Sequence, residues 1–204
     1  MNYDSKHSEI VGPKEWYDQV ADQYKNSHSH LDSFYHVDFL RYLPRKTQFD
    51  LIDFGAGDGR MFKELNPIPH NQYVVVDISK AMLSRHPRGP KHVIADLEKK
   101  FPLEDECFDV AVCFFTLEHL ENIDQFMEEC YRILRNDWTL FIGHFFQRKL
   151  FEWTANNKYF KIKQYKRTTE DIQQSAEQAF FHVEVFPLYD KKDHTGDLII
   201  CRKW

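Results

Sequence analysis

The sequence predicts an α/β domain built on a doubly wound, mostly parallel sheet, and three observations predict it. Between Asp50 and Phe145 short apolar runs alternate with stretches of helical spacing, the pattern of a parallel sheet covered on both faces. The first run, Leu51, Ile52 and Phe54, breaks into glycines at alternate positions, Gly55, Gly57 and Gly59, and then enters a segment that can be helical. Finally, three successive runs deliver an acid at or beside their ends: Asp53, Asp77 and Asp96.

Residues 1 to 13 are polar, end in Gly12-Pro13 and read as a loose arm. From Lys14 to Lys25 the spacing of Trp16, Val20 and Tyr24, with Tyr17 and Ala21 beside them, marks one face of a helix. Leu31, Phe34, Tyr35, Phe39, Tyr42 and Leu43 form a second helical stripe that stops at Pro44. The core then starts with strands at Asp50–Phe54 and Tyr73–Asp77, a helix from Ser79 to Arg85 with Ser79 as its cap, and a strand at Lys91–Ala95. Phe108–Phe115 is apolar almost throughout, as a central strand buried on both faces should be. Asn122–Arg135 repeats apolar residues at helical spacing, and a fifth strand follows from Trp138 to Phe145. Leu150–Tyr165 reads as an inserted hairpin around Asn156-Asn157. A last helix opens at Thr168 or Thr169, and Phe181–Phe186 and Asp197–Arg202 complete the chain as an antiparallel pair.

With 204 residues, 42% hydrophobic and 29% charged, the chain is expected to be one soluble domain, cytoplasmic and without a membrane span. A net charge of −5 makes nucleic acid an unfavoured partner. Cys107, Cys113, Cys130 and Cys201 show no metal-site spacing and read as reduced core residues. His28 and His30 lie two apart with no third ligand nearby, and no metal is expected. Arg148, Lys149, Lys158, Lys161, Lys163, Lys166 and Arg167 face one acid, Glu152, in the hairpin region. That segment either steers an anionic acceptor or simply guards an exposed edge strand.

The glycine turn carries the chemistry. Alternate glycines let a ligand approach the backbone with no Cβ in the way, and an acid ending the next strand accepts hydrogen bonds from ribose hydroxyls. Arg60 stands where a dinucleotide loop would place its third glycine, so a pyrophosphate-binding loop is disfavoured and a nucleoside favoured. DFGAGDGR (53–60) resembles the first motif of the class I S-adenosylmethionine-dependent methyltransferases, VVVDISKAML (74–83) their second, and VIADLEKKFPLEDECFDVAVCFFTLEHL (93–120) their third and fourth. WYDQVADQY (16–24) is similar to a segment that small-molecule members place before the core, over cofactor and acceptor. The turn Arg135-Asn136-Asp137-Trp138 departs from the family's Lys-Pro-Gly-Gly.

The resemblance implies a Rossmann-like seven-stranded sheet, mostly parallel with an antiparallel last strand, under an N-terminal helical lid. It divides the single domain into a helical cap (1–45), a cofactor core (46–145), the hairpin (146–167) and a final helix with two strands (168–204). It implies S-adenosyl-L-methionine as cofactor. Asp53 would orient the glycine loop and the cofactor's amino group. Gly55, Ala56, Gly57 and Gly59 would leave room for its methionine portion and ribose, and Asp77 would hold the ribose hydroxyls. Ile78, Asp96 and Leu97 would meet the adenine, and Tyr17, Tyr24 and Phe114 would complete the site. His119 and His144 are the candidate general bases, each with packing as its other explanation. The expected activity is methyl transfer to oxygen or nitrogen of a small-molecule or carrier-bound acceptor. The alternative is a degenerate family member acting as a regulatory or partner protein.

Overall fold

The computed structural model describes residues 9–24, 39–43, 48–146, 152–155, 158–190 and 192–204. In chain order the elements are β1 (Glu9–Val11), α1 (Pro13–Val20), a 3-10 turn (Phe39–Tyr42), β2 (Phe49–Phe54), α2 (Phe62–Leu65), β3 (His70–Asp77), α3 (Lys80–Leu83) and β4 (Lys91–Ile94). They continue with β5 (Phe108–Phe114), a 3-10 turn (Leu117–His119), α4 (Ile123–Ile133), β6 (Leu134–Phe145), β7 (Glu152–Ala155), β8 (Lys158–Ile162), α5 (Thr169–Gln178), β9 (His182–Asp190) and β10 (Asp193–Arg202).

Seven of the strands form one sheet in the order β4-β3-β2-β5-β6-β10-β9. β10 runs antiparallel to both β6 and β9, while the pairs from β4 to β6 are parallel. This is the Rossmann-like doubly wound sheet with an antiparallel last strand. Alternate side chains feed two apolar layers: Ile52, Phe54, Val74 and Val76 pack with α4 and α5 on one face, and Leu51, Val75, Val110 and Val112 pack with Phe39 and Leu65 on the other. β5, apolar and central, is buried at every position. Strand order reverses between β2 and β5, so their carboxyl ends open the crevice where doubly wound sheets bind ligands.

The helices have local causes. Asn122 caps α4 by accepting from the amides of Asp124 and Gln125, and Thr168 opens α5 with Asp171 in a reciprocal capping box. α2 and α3 have only four residues each, and α3 is shorter than the expected Ser79–Arg85. The turn expected at Arg135–Trp138 is instead the bulged start of β6: its register against β5 shifts between Phe108 and Val110, and Asp137 takes φ +65°. An acid here adopts the left-handed conformation that glycine would adopt more easily.

Two expectations change. Residues Glu9–Val11 of the supposed loose arm form a strand that pairs parallel with β8 of the inserted hairpin, giving a separate three-stranded sheet, β1-β8-β7. Val11, Trp16, Val20 and Ile162 are buried together under this sheet, with Tyr17, Tyr24 and Phe160 against them. The N-terminal segment and the hairpin are therefore one cap. Cys113, Cys130 and Cys201 are buried, but Cys107 is half-exposed, its thiol donating to the Glu104 carbonyl; all four are free. Most of the helical stripe from Leu31 to Leu43, together with His28, His30, Arg148, Lys149 and the turn at Asn156-Asn157, lies outside the described residues. No helix among the described residues is long and apolar enough to cross a membrane.

At the sheet's opposite end the fully buried Asp109 accepts from Arg135 Nη1 at 2.7 Å and from the Asp50 amide at 2.9 Å. Asp109→Ala leaves the Asp50 amide without its acceptor, while Arg135 keeps Asp50 Oδ2 and the Cys107 carbonyl, and it is expected to lower unfolding stability by about 2 kcal/mol, measured by urea denaturation.

Candidate functional site

A cavity with about 940 Å³ of empty space, part of it open to solvent, lies at the carboxyl ends of β2, β3, β4 and β5, and α1 covers it. Asp53, Gly55, Ala56, Gly57, Asp77, Ile78, Asp96, Leu97, Phe114 and His119 all line it, as do Tyr17 and Tyr24 from the cap. Two predicted residues do not. Gly59 turns away, at φ +88°, and packs where a Cβ would meet Pro87 Cδ at 2.5 Å, so its glycine serves the loop's own packing. His144 sits beyond the cavity on β6, opposite Asp197 of β10, with its ring against Phe146.

Gly55 holds the floor of the site together. It adopts φ +68°, and a Cβ there would lie 2.0 Å from Thr116 Oγ1, which in turn donates to the Phe114 carbonyl at 3.0 Å. Only glycine lets the ends of β2 and β5 close on each other. The next residue past β5, Phe115, takes φ +55° and stacks on Phe145 with ring centroids 4.2 Å apart. A bulky side chain in that conformation is strained, and the strain lies at the cavity wall.

Asp77 is the polar centre. Its Oδ2 accepts from the Gly57 amide at 2.9 Å and its Oδ1 from the Ser79 amide at 2.8 Å. Each oxygen keeps a further lone pair for a ligand hydroxyl. Burial pushes Asp77 up to about 6, against the pull of those amides, and the Asp18 carboxylate adds to the rise. Asp53, fully buried behind it, is driven well above the usual carboxylate range by burial and by the Asp77 charge. Asp96 accepts from the Glu98 amide at 3.0 Å and faces Lys99 Nζ at 3.3 Å.

The cap closes through aromatic and charged contacts. Tyr17 Oη and His119 Nε2 stand 2.9 Å apart, and the Tyr17 ring meets those of Tyr24 and His119 edge to face. Arg60 lies over the Tyr24 ring at 4.9 Å and donates to the Tyr24 carbonyl at 3.4 Å. The sequence marked Arg60 only as a missing glycine; its reach to the cap crosses 36 positions of chain, which no local pattern encodes. Thr116, Asp58, Met61, Met82 and Glu98 also line the cavity without having been singled out. Burial sends Tyr24 up to about 12 and His119 down to about 4. His144 is also lowered by burial. Beyond the cap, Lys163 pairs with Glu121 at 3.2 Å and Arg167 donates to the Leu117 and Glu121 carbonyls, so these two basic residues bind the loop after β5. Among the described residues no group of three His, Cys, Asp or Glu is placed to hold a metal ion.

Comparison with known proteins follows the same outline. Residues 52–142 match the family described as methyltransferase domain. An uncharacterized protein of Methanocaldococcus jannaschii is 28% identical over 203 residues, which is 95% of this chain and 90% of that one. A probable S-adenosylmethionine-dependent methyltransferase of Mycobacterium tuberculosis is 32% identical over 111 residues, 52% of this chain and 39% of that one. The solved structure of a complex of DhpI with SAH superposes with a TM-score of 0.73 at 14% identity, covering 93% of this chain and 94% of that one, a likeness of fold. The matched residues 52–142 hold the glycine loop and β2 to most of β6, the same part of the chain in which the sequence resembles the class I S-adenosylmethionine-dependent methyltransferases.

The buried histidine has a pH signature. Unfolded His119 takes up its proton near 6.5 and folded His119 near 4, so the stability it contributes is full above about 6.5 and is lost as pH falls through about 4. Asp77 acts in the opposite sense between 3.8 and about 6, since its folded form holds the proton more tightly. His119→Gln is therefore expected to flatten the acid side of the stability profile, measured by urea unfolding from pH 7 to pH 4.

Proposed function

We propose that this chain is an S-adenosylmethionine-dependent methyltransferase acting on oxygen or nitrogen of a small-molecule or carrier-bound acceptor. The observation that carries the reading is Asp77: a buried carboxylate at the end of β3, held by the Gly57 and Ser79 amides, with lone pairs directed to a cavity that the glycine loop borders. Two adjacent acceptor oxygens on one rigid group suit the two hydroxyls of a ribose. Ile78 and Leu97 supply apolar contact for the adenine, and Asp96 an acceptor for its amino group. Gly55 and Ala56 present little side-chain bulk toward the methionine portion, and Asp53 supports the loop from below. Gly59 contributes by shaping that loop from outside the cavity.

When bound, the cofactor supplies a methyl group on a positively charged sulfur, which keeps the bonding electron pair as the methyl leaves. The chain's part is to hold the acceptor atom in line and to exclude water. Tyr17, Tyr24, Phe115 and Leu120 wall the cavity, and α1 closes it. His119, with a pKa near 4, is neutral at physiological pH and is a weaker base than a free histidine. It takes a proton only from an acceptor that is already acidic, and its more direct part is to orient Tyr17. His144, outside the cavity, is not placed to be the base unless an acceptor extends past Phe115 and Phe145. Acceptors that lose their proton readily fit these walls best.

Calorimetric titration tests the reading. S-adenosylhomocysteine is expected to bind at micromolar affinity and NAD not to bind, and Asp77→Ala is expected to weaken the former about 100-fold, the loss of two hydrogen bonds to a charged group. NAD binding in place of S-adenosylhomocysteine, or an unchanged Asp77→Ala, would overturn it.

A further inference from the structure

The cap and the polar centre share one hydrogen-bond chain. Asp18, on α1 against the start of α3, accepts from Ser79 Oγ at 2.6 Å and, more weakly, from the Ala81 amide at 3.4 Å. Ser79 is fully buried, and its hydroxyl also accepts from the Met82 amide at 3.1 Å, capping α3. The amide of this same Ser79 donates to Asp77 Oδ1, and Asp77 Oδ2 receives the Gly57 amide. One residue thus gives its hydroxyl to the lid and its amide to the carboxylate at the polar centre. The other oxygen of Asp18 is held by Lys14 Nζ at 2.7 Å, which orients the carboxylate toward Ser79. Asp22, one turn further along, pairs with Arg85 just past α3, so the lid engages this corner through two contacts four residues apart.

We propose that Asp18 is a positioning residue for the cofactor, acting from the lid through Ser79 on Asp77; this rests on the reading of Asp77 as the ribose clasp. A lid needs contact with the core only at its rim. Asp18 instead reaches the turn that carries the Ser79 amide, and that amide has one useful orientation, toward Asp77. If the lid withdraws, the Ser79 hydroxyl loses its carboxylate acceptor and the turn loses an anchor. Closing the lid and aligning the clasp are then a single event, and a cofactor is held firmly only under a closed cap.

The electrostatics give this coupling a second readout. Asp77 faces Asp18 from α1, Asp53 from β2 and Tyr24 from the end of the cap helix, and the Asp18 charge raises its proton affinity. Asp77 must be ionised to accept from both ribose hydroxyls, so affinity should climb as pH rises through about 6. Asp18→Asn keeps an oxygen for Ser79 but removes the charge, and it should shift that climb to lower pH. Asp18→Ala removes the acceptor altogether.

The experiment is S-adenosylhomocysteine titration of wild type, Asp18→Asn and Asp18→Ala from pH 5 to pH 8, with urea unfolding of each as a control for folding. Asp18→Ala is expected to bind about tenfold more weakly at pH 8, the effect of one hydrogen bond to a charged group. Asp18→Asn is expected to keep near wild-type affinity at pH 8 with a lower pH midpoint, a shift that a purely structural role would not produce. If Asp18→Ala does not fold, the Asp18→Asn midpoint decides alone. Wild-type affinity and midpoint in every folded variant would overturn the proposal while leaving the cofactor reading intact. A wild-type protein that does not bind S-adenosylhomocysteine would overturn both.

Discussion

The joint on which the site depends is the carboxylate of Asp77, which receives one amide from the loop after β2 and one from the turn after β3. Two loops leaving neighbouring parallel strands have no backbone reason to stay in register, because the sheet's hydrogen bonds end where the strands end. A carboxylate at the boundary, accepting from both, keeps them together. Burial works against its charge and carries it to about 6. The group is therefore held less firmly in its ionised form than an exposed acid would be, and it gains by acquiring donors. A ribose would provide two more.

Around this joint the molecule arranges two kinds of closure. Gly55 and Thr116 interlock the ends of β2 and β5 by steric fit, a contact that admits no Cβ. The cap closes from above by softer means: ring edges, a guanidinium over Tyr24, and the Tyr17–His119 hydrogen bond. Rigid packing below and polar or aromatic contact above is the distribution expected of a site whose floor stays fixed while its roof opens. The loop from Leu117 to Glu121 serves both, since it carries His119 and is also held by Lys163, Tyr165 and Arg167 of the segment after β8.

Much of the sheet was legible because its signals are local. Alternating apolar runs placed β2 to β6, and Gly55, Gly57, Asp77 and Asp96 lay at strand ends because parallel strands deliver their last residues to one side. What escaped the sequence was non-local. Nothing in Glu9–Val11 announces a partner at Phe160–Ile162, since three residues are too few for a periodic signal and the pairing spans most of the chain. Gly59 looked like a ligand contact because spacing cannot say which side of a loop faces the cavity; the answer depended on Pro87 and His86. The depressed basicity of His119 was invisible for the same reason, as it comes from the cap that covers it and not from its neighbours in TLEHL. Four-residue α3 was overestimated because apolar spacing records which face is buried, and a single turn already satisfies it.

The sheet order has a consequence for how the protein is made. β10 is last in the chain but not at the edge: it lies between β6 and β9. Until it is synthesised, β6 presents an unpaired border and β9 has nothing to join. Roughly 50 residues separate the end of β6 from the start of β10, which at ~5–20 residues per second is a wait of roughly 2 to 10 seconds on the ribosome. During that interval Leu140, Phe141 and Ile142 line an open apolar border of the kind that recruits other strands. The antiparallel insertion of β10 between β6 and β9 therefore closes a border that stays open for as long as β10 is missing.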